Sequence, residues 1–202
     1  MRLKIEKSRI LLSRIAAAAV LFFLCSTESY WETENEMISF FLFFLGMLLV
    51  TVASLGRMWC SVYIAGFKDQ KLITKGPYSL CRNPLYLFSS VGIVGIGLCT
   101  ETFTYPFIFL ILFSIYYPFV IKSEQKRLAS YFGAEFEEYK GRVPAFFPRF
   151  SSLDEPLEYT VNPMVYRRHI SSAVWFVWIV GIIELMEGLR AIEILPHLWT
   201  LY

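Results

Sequence analysis

Three short stretches hold residue types that could act together. Gly76-Pro77-Tyr78 and Arg82-Asn83-Pro84-Leu85-Tyr86 bring one guanidinium and two phenols between two turns. Gly-Pro and Asn-Pro are turn signals, and Pro84 suits the first turn of a following helix. The third stretch begins at Glu124, on a helical pattern in which Leu128, Phe132 and Phe136 recur. As residues alone, the first two stretches read either as a polar site at the edge of an apolar segment or as an anchor of aromatic and basic side chains. Glu124 reads either as a binding carboxylate or as part of a solvated helix face.

Other chemistries lack their residues. The four cysteines, Cys25, Cys60, Cys81 and Cys99, form no C-x-x-C pair, and the only histidines are His169 and His197. A zinc site is not expected, and the thiols read as small packing hydrophobes. The sequence holds no H-E-x-x-H and no Walker loop. Gly92, Gly95 and Gly97 follow no strand pattern and read as a close helix contact. Glu184 and Glu187 lie in an apolar stretch near Arg190, with which they are expected to pair. His169, beside Arg167 and Arg168, reads as interfacial.

The elements that must position these residues follow from composition. Of the 202 residues, 56% are hydrophobic and only 18% charged, against about 25% charged in soluble domains. Mean hydropathy is +0.51. A net charge of +2 gives no field for nucleic acid. The expected fold is an all-α, polytopic membrane bundle of about five helices, forming one integral membrane domain over residues 1–202. A span needs about 20 mostly apolar residues. The candidates are 10–26, 37–56, 85–99, 102–121 and 169–189, the third and fourth forming a tight hairpin around Glu101. The first is read as a span rather than a cleaved signal, because no A-x-A-like site follows it. Arg14 within it would snorkel to the headgroups. Pro118 should kink the fourth span, with an interruption near Gly133.

Orientation follows from Lys and Arg. Arg2, Lys4, Lys7 and Arg9 precede the first span, and residues 27–36 carry four Glu and no Lys or Arg. The basic residues, Lys68 among them, gather in 57–84 and 122–168, and Arg190 alone falls on the opposite side. The N-terminus and both long polar segments are expected in the cytosol, with the C-terminus outside. Asp154–Pro163 reads as a polar loop, either a lid or a connector.

The two polar segments together resemble the integral membrane methyltransferases, the isoprenylcysteine carboxyl methyltransferase and phospholipid methyltransferase family. The resemblance runs from about Gly56 to Pro148. It rests on Gly76-Pro77-Tyr78, Arg82-Asn83-Pro84-Leu85-Tyr86, Glu124-Gln125-Lys126-Arg127-Leu128, Phe132-Gly133, Phe136-Glu137-Glu138-Tyr139 and Val143-Pro144. It implies an S-adenosylmethionine site at the cytosolic face, formed by Gln70, Lys71, Leu72, Ile73, Tyr78, Asn83, Pro84, Leu85, Tyr86 and Glu124. Tyrosine faces suit a sulfonium cation. Glu124 would anchor the cofactor, and Arg82 would orient an anionic acceptor or the cofactor carboxylate. The chain departs from the pattern at Gln125, where the family has a second Glu, and at Asn83, where prenylcysteine enzymes carry His. Val120 stands where those enzymes carry an Arg, with Lys122 the nearest cation.

The reaction implied is in-line methyl transfer to a lipophilic acceptor that enters from the bilayer. Positioning and exclusion of water would do most of the work, and no residue stands out as a general base. Two other readings remain: an NADPH-dependent sterol-type reductase with a similar C-terminal motif arrangement, and a non-catalytic membrane partner or lipid-binding protein. The sequence does not identify the acceptor or the oligomeric state.

Overall fold

The computed structural model describes residues 22–23, 26–67, 70–195 and 198–202. The expected first span lies almost wholly outside these residues, as do Arg14, Cys25, Lys68 and His197. The elements in chain order are β1 (Thr27–Ser29), α1 (Tyr30–Glu34), α2 (Glu36–Ile64), α3 (Pro77–Leu80), α4 (Pro84–Leu98), α5 (Thr104–Arg142), a 3-10 turn at Phe150–Ser152, α6 (Pro163–Ala191) and β2 (Trp199–Leu201). The class is all-α, with membrane helices.

Among the described residues, three helices are long and apolar enough to cross a membrane: α2, α5 and α6. At 1.5 Å per residue, α2 and α6 are each about 44 Å long, more than the ~30 Å hydrocarbon core. α4 is apolar but shorter. Local chemistry sets the starts. Asn35 accepts from the Ile38 N–H, and Asn162 accepts from the Met164 and Val165 N–H groups, which serves otherwise unpaired donors of the first turn. Pro163 and Pro84 occupy the first helical positions of α6 and α4, where a missing N–H costs nothing. The backbone of α5 leaves helical values only at Gly133, with φ 48° and ψ −119°. It stays helical across Pro118, so the sharp break falls at the glycine and not at the proline.

α2 is the central element. It packs against α4 on one side and α6 on another, and α4 packs in turn on α5. Its buried face is a stripe of Ser39, Leu42, Gly46, Val50, Ala53 and Cys60, the three-and-four spacing of one helix face. Val50 joins Ile96 and Cys99 with Val180 and Ile183 of α6 in one apolar cluster. The opposite faces present Phe40, Phe44, Leu48, Trp178 and Leu185 outward. Such a surface suits lipid rather than water.

The α2–α4 contact depends on glycine. A Cβ added to Gly95 would lie 2.9 Å from the Gly46 carbonyl oxygen and 2.9 Å from the Val50 nitrogen. The expected glycine contact is therefore realised, with backbone against backbone. At the far end, the hairpin turn passes through Glu101, whose hydroxyl partner is Ser39. Arg190 lies 3.7 Å from Glu187 and also donates to the Thr27 carbonyl, so the expected pairing forms with Glu187. β1 and β2 pair in parallel, Thr27 opposite Trp199; no local sequence pattern signalled this pairing.

The connection from α5 to α6 is a strap rather than a free loop. Arg82 N donates to Pro144 O (2.8 Å), Arg149 N to Leu80 O (3.0 Å) and Gly76 N to Asp154 O (2.8 Å). Glu155 accepts from Trp59 Nε1 at 2.9 Å and from the Tyr63 hydroxyl at 3.1 Å. These bonds pin the strap to α2 and to the α3 region, and satisfy backbone groups that no regular element serves.

Replacing Gly95 with valine is expected to force α2 and α4 apart and to lower stability by about 1–3 kcal/mol. Thermal unfolding in detergent measures this. An unchanged midpoint would contradict the close contact.

Candidate active site

The polar residues of the strap end and the apolar ends of the helices enclose a cavity of about 470 Å³. Most of its walls come from three segments, and α6 adds to them. The chain leaving α2 contributes Phe67, Lys71, Leu72 and Ile73; the α3–α4 turn contributes Tyr78, Arg82, Asn83, Leu85 and Tyr86; and α5 contributes Glu124. Of the residues expected at a site, Gln70 and Pro84 are not on this lining. Gln70 is exposed in the turn after α2, and Pro84 is buried at the start of α4.

The sequence folds locally to this end. Gly76 takes φ 60°, a conformation most residues avoid. A Cβ there would also sit 2.2 Å from the Tyr63 ring. The positive φ turns the chain into α3, with Pro77 at its start. Tyr78 then enters the cavity, and its carbonyl accepts from the Tyr139 hydroxyl at 2.7 Å. Asn83 donates through Nδ2 to Ala145 O at 2.7 Å, which fixes the residue before α4. One turn in from that start, Tyr86 donates its hydroxyl to Glu124 Oε2 at 2.8 Å. Arg127 stands 3.5 Å from the same carboxylate on its own helix. The break at Gly133 lets Phe136 and Tyr139 close on Leu72, with Leu128 and Phe132 against them. This makes an apolar wall opposite the charged groups.

Arg82 is the unbalanced group. Its Nε and Nη1 are shielded from water and have no hydrogen-bond partner among the described residues. Two shielded guanidinium nitrogens left unpaired are costly and offer a fork suited to a carboxylate. This is the observation that fits an anionic group of a ligand to the cavity. Burial, with the nearby Cys60 sulfur and Glu124 carboxylate, pushes the Tyr78 phenol well above its ordinary value, so the ring stays neutral.

Several lining residues carried no sequence signal. Val165 and His169 reach the cavity from α6. His169, expected at the interface beside Arg167 and Arg168, lies near the start of α6 and lines the cavity there. Phe136 and Tyr139 had a weak signal, the helical spacing of Phe136 and the place of both in the Phe136-Glu137-Glu138-Tyr139 stretch. The strap residues Asp154–Pro163 do not line the cavity; they hold the α3 region in place, which favours the connector reading over the lid.

The described residues thus form a helical membrane protein with a polar-ended cavity at which separated sequence motifs meet. The phospholipid methyltransferase family model matches residues 15–135, and the chain belongs to this family. Two relatives run nearly its whole length. It is 40% identical over 192 residues to the nickel-cobalt-cadmium resistance protein NccN of Alcaligenes xylosoxydans xylosoxydans, covering 95% of this chain and 89% of that protein. It is 38% identical over 197 residues to the cobalt-zinc-cadmium resistance protein CzcN of Cupriavidus metallidurans, covering 98% and 90%. A shorter match, 28% over 81 residues, links it to the protein-S-isoprenylcysteine O-methyltransferase of Schizosaccharomyces pombe, covering 40% of this chain and 34% of that one. No solved structure matches.

Cys60, Cys81 and Cys99 are free and buried, as packing thiols should be. Burial pushes the Cys81 thiol up to about 11. At pH 8 only about one molecule in a thousand would carry the thiolate. Iodoacetamide is therefore expected to leave Cys81 unmodified in the folded protein and to modify it after denaturation, read by mass spectrometry. Rapid labelling of the folded chain would contradict this environment.

Proposed function

We propose that this protein transfers a methyl group from S-adenosylmethionine to a lipophilic acceptor resident in the membrane. The hydrogen bond from Tyr86 to Glu124 carries the reading, because it joins the two motif segments into one cavity. Family membership supplies the reaction type. The basic residues gathered at the strap end support a cytosolic reading of that end by the positive-inside tendency.

S-adenosylmethionine, when bound, supplies an electrophilic methyl on a sulfonium. The residues of this chain do the rest. Glu124, held by Tyr86, takes the ammonium or ribose hydroxyls. Arg82 takes a carboxylate on its unpartnered nitrogens. The rings of Tyr78 and Tyr86 suit the sulfonium charge. Leu72, Leu128, Phe136 and Tyr139 exclude water from the reacting atoms. The contribution is mostly orientation.

Two full-length relatives bear metal-resistance names. Among the described residues, no group of three or more His, Cys, Asp or Glu side chains is disposed to hold a metal ion. In this reading the chain would serve such resistance by modifying a membrane lipid rather than by holding the ion.

Calorimetric titration of the purified protein with S-adenosylhomocysteine tests the site. Saturable binding is expected, weakened about tenfold or more by Glu124→Ala and by Tyr86→Ala, ~1.4 kcal/mol each. A well-folded protein that binds no S-adenosylmethionine or S-adenosylhomocysteine, or that binds NADPH instead, would overturn the assignment.

A further inference from the structure

Arg57 lies one layer behind the cavity wall, and nothing in the proposed reaction yet uses it. It sits on α2 beside Gly56, where an added Cβ would meet the Phe88 ring of α4 at 2.2 Å. An arginine at the edge of a span usually reaches out to the headgroups. This one runs into the bundle. Nη1 donates to the buried Ser89 hydroxyl of α4, and Nη2 donates to the Ser172 hydroxyl of α6 at 2.9 Å. The guanidinium carbon lies 5.3 Å from the centroid of the Phe176 ring, also on α6. Nε is shielded and has no hydrogen-bond partner among the described residues.

These partners are all neutral. Among the described residues, no carboxylate pairs with Arg57. Two hydroxyls and a ring serve part of the fork and none of the charge. A guanidinium stays protonated in a protein, and a charge held this way between apolar helices is costly. Tying three membrane helices together needs no charge, because neutral hydroxyl and amide groups do it. An ionisable group inside such a bundle points instead to function.

The charge stands close to the cavity. Ser89, its partner on α4, donates to the Leu85 carbonyl at 2.7 Å, and Leu85 and Tyr86 line the cavity. Tyr78 of the cavity wall and Tyr117 of α5 lie within its electrostatic reach. Tyr117 in turn packs edge-on against Tyr86, ring centroids 5.2 Å apart. Arg57 is therefore behind Tyr78 and Tyr86, the two phenols whose faces suit a sulfonium. The cations on the lining itself are placed differently. Arg127 stands 3.5 Å from Glu124, Lys71 is open to water, and Arg82 is suited to the cofactor carboxylate.

We infer that Arg57 drives the reaction electrostatically: its uncompensated charge, behind Tyr78 and Tyr86, destabilises the bound sulfonium relative to the thioether that remains after transfer. The inference rests on the methyl-transfer reading and adds to it a residue and a driving force. In the transfer, an electron pair of the acceptor forms a bond to the methyl carbon. The C–S bond breaks, and its pair stays on sulfur, which becomes neutral. A fixed cation nearby favours that discharge, most strongly where water does not screen it. The tyrosine faces hold the sulfonium in place, so the site binds the charge and keeps it reactive.

The test is calorimetry on the full chain in phosphatidylcholine nanodiscs with S-adenosylmethionine and S-adenosylhomocysteine, which differ by one methyl and one charge. The readout is the ratio of the two affinities, because a loss of packing weakens both alike. S-adenosylhomocysteine is expected to bind more tightly. Arg57→Gln should narrow that preference about fivefold, and Arg57→Lys, which keeps the charge, should hold it within about twofold. Ser172→Asp sets a carboxylate on the same guanidinium and should narrow the preference as Arg57→Gln does, so the charge is tested even where Arg57→Gln does not fold. A ratio that neither substitution moves, in protein that still binds both ligands, overturns the inference. An equal shift in Arg57→Lys and Arg57→Gln also overturns it, because the effect then belongs to geometry and not to charge. A folded protein that binds neither ligand overturns the methyl-transfer reading itself, so the two failures are separate.

Discussion

The hydroxyl of Tyr86 lies 2.8 Å from the carboxylate of Glu124, and the cavity depends on that bridge between two helices. Tyr86 is fixed because α4 starts at Pro84 and because Asn83 is tied to the strap. Glu124 is fixed because α5 runs unbroken from the hairpin turn to Gly133. Neither residue has another chemical reason to face the other. A carboxylate at the edge of a bilayer would ordinarily turn to water. Held by a phenol and beside Arg127, it stays at the cavity wall. The chain can then place a guanidinium with two unpartnered nitrogens, Arg82, in the same enclosure.

The bilayer explains why the chemistry gathers at one end. Backbone groups in hydrocarbon must find partners within the helix, and the described spans do so. Irregular backbone is confined to the helix ends, and there it needs a second layer of partners. The strap supplies them: it donates and accepts through Pro144, Arg149 and Asp154 and through Glu155. The far end solves the same problem with a parallel strand pair and with Phe103 and Thr104 donating to the Tyr202 carbonyl. The glycine contact between α2 and α4 sets how closely the walls of the cavity approach.

Much of this was legible in the residues. Three of the five expected spans, 37–56, 102–121 and 169–189, fall in helices long and apolar enough to cross a membrane, and they, the hairpin at Glu101, the interruption at Gly133 and the glycine contact follow from local composition and spacing. Tyr78, Arg82, Asn83, Leu85, Tyr86 and Glu124 were expected together and line one cavity. What was not legible depends on how helices turn relative to one another. α2 runs to Ile64, eight residues beyond the expected apolar span, because the helix continues after lipid contact ends. His169 lies among arginines, and nothing local signals that it also lines the cavity. Gln70 and Pro84 sit next to lining residues in the chain, yet turn geometry carries one outward and packing buries the other. The pairing of Thr27–Ser29 with Trp199–Leu201 joins segments too distant for any pattern to reveal.

One ligand held by both motif segments at once should protect both together. Hydrogen–deuterium exchange of the purified chain, with and without S-adenosylhomocysteine, measures this. Added protection is expected in residues 71–86 and, in the same titration, around residues 124–139, with the exposed outer faces of α2 and α6 unchanged. Protection in only one of the two segments, or at the strand-paired end instead, would contradict it.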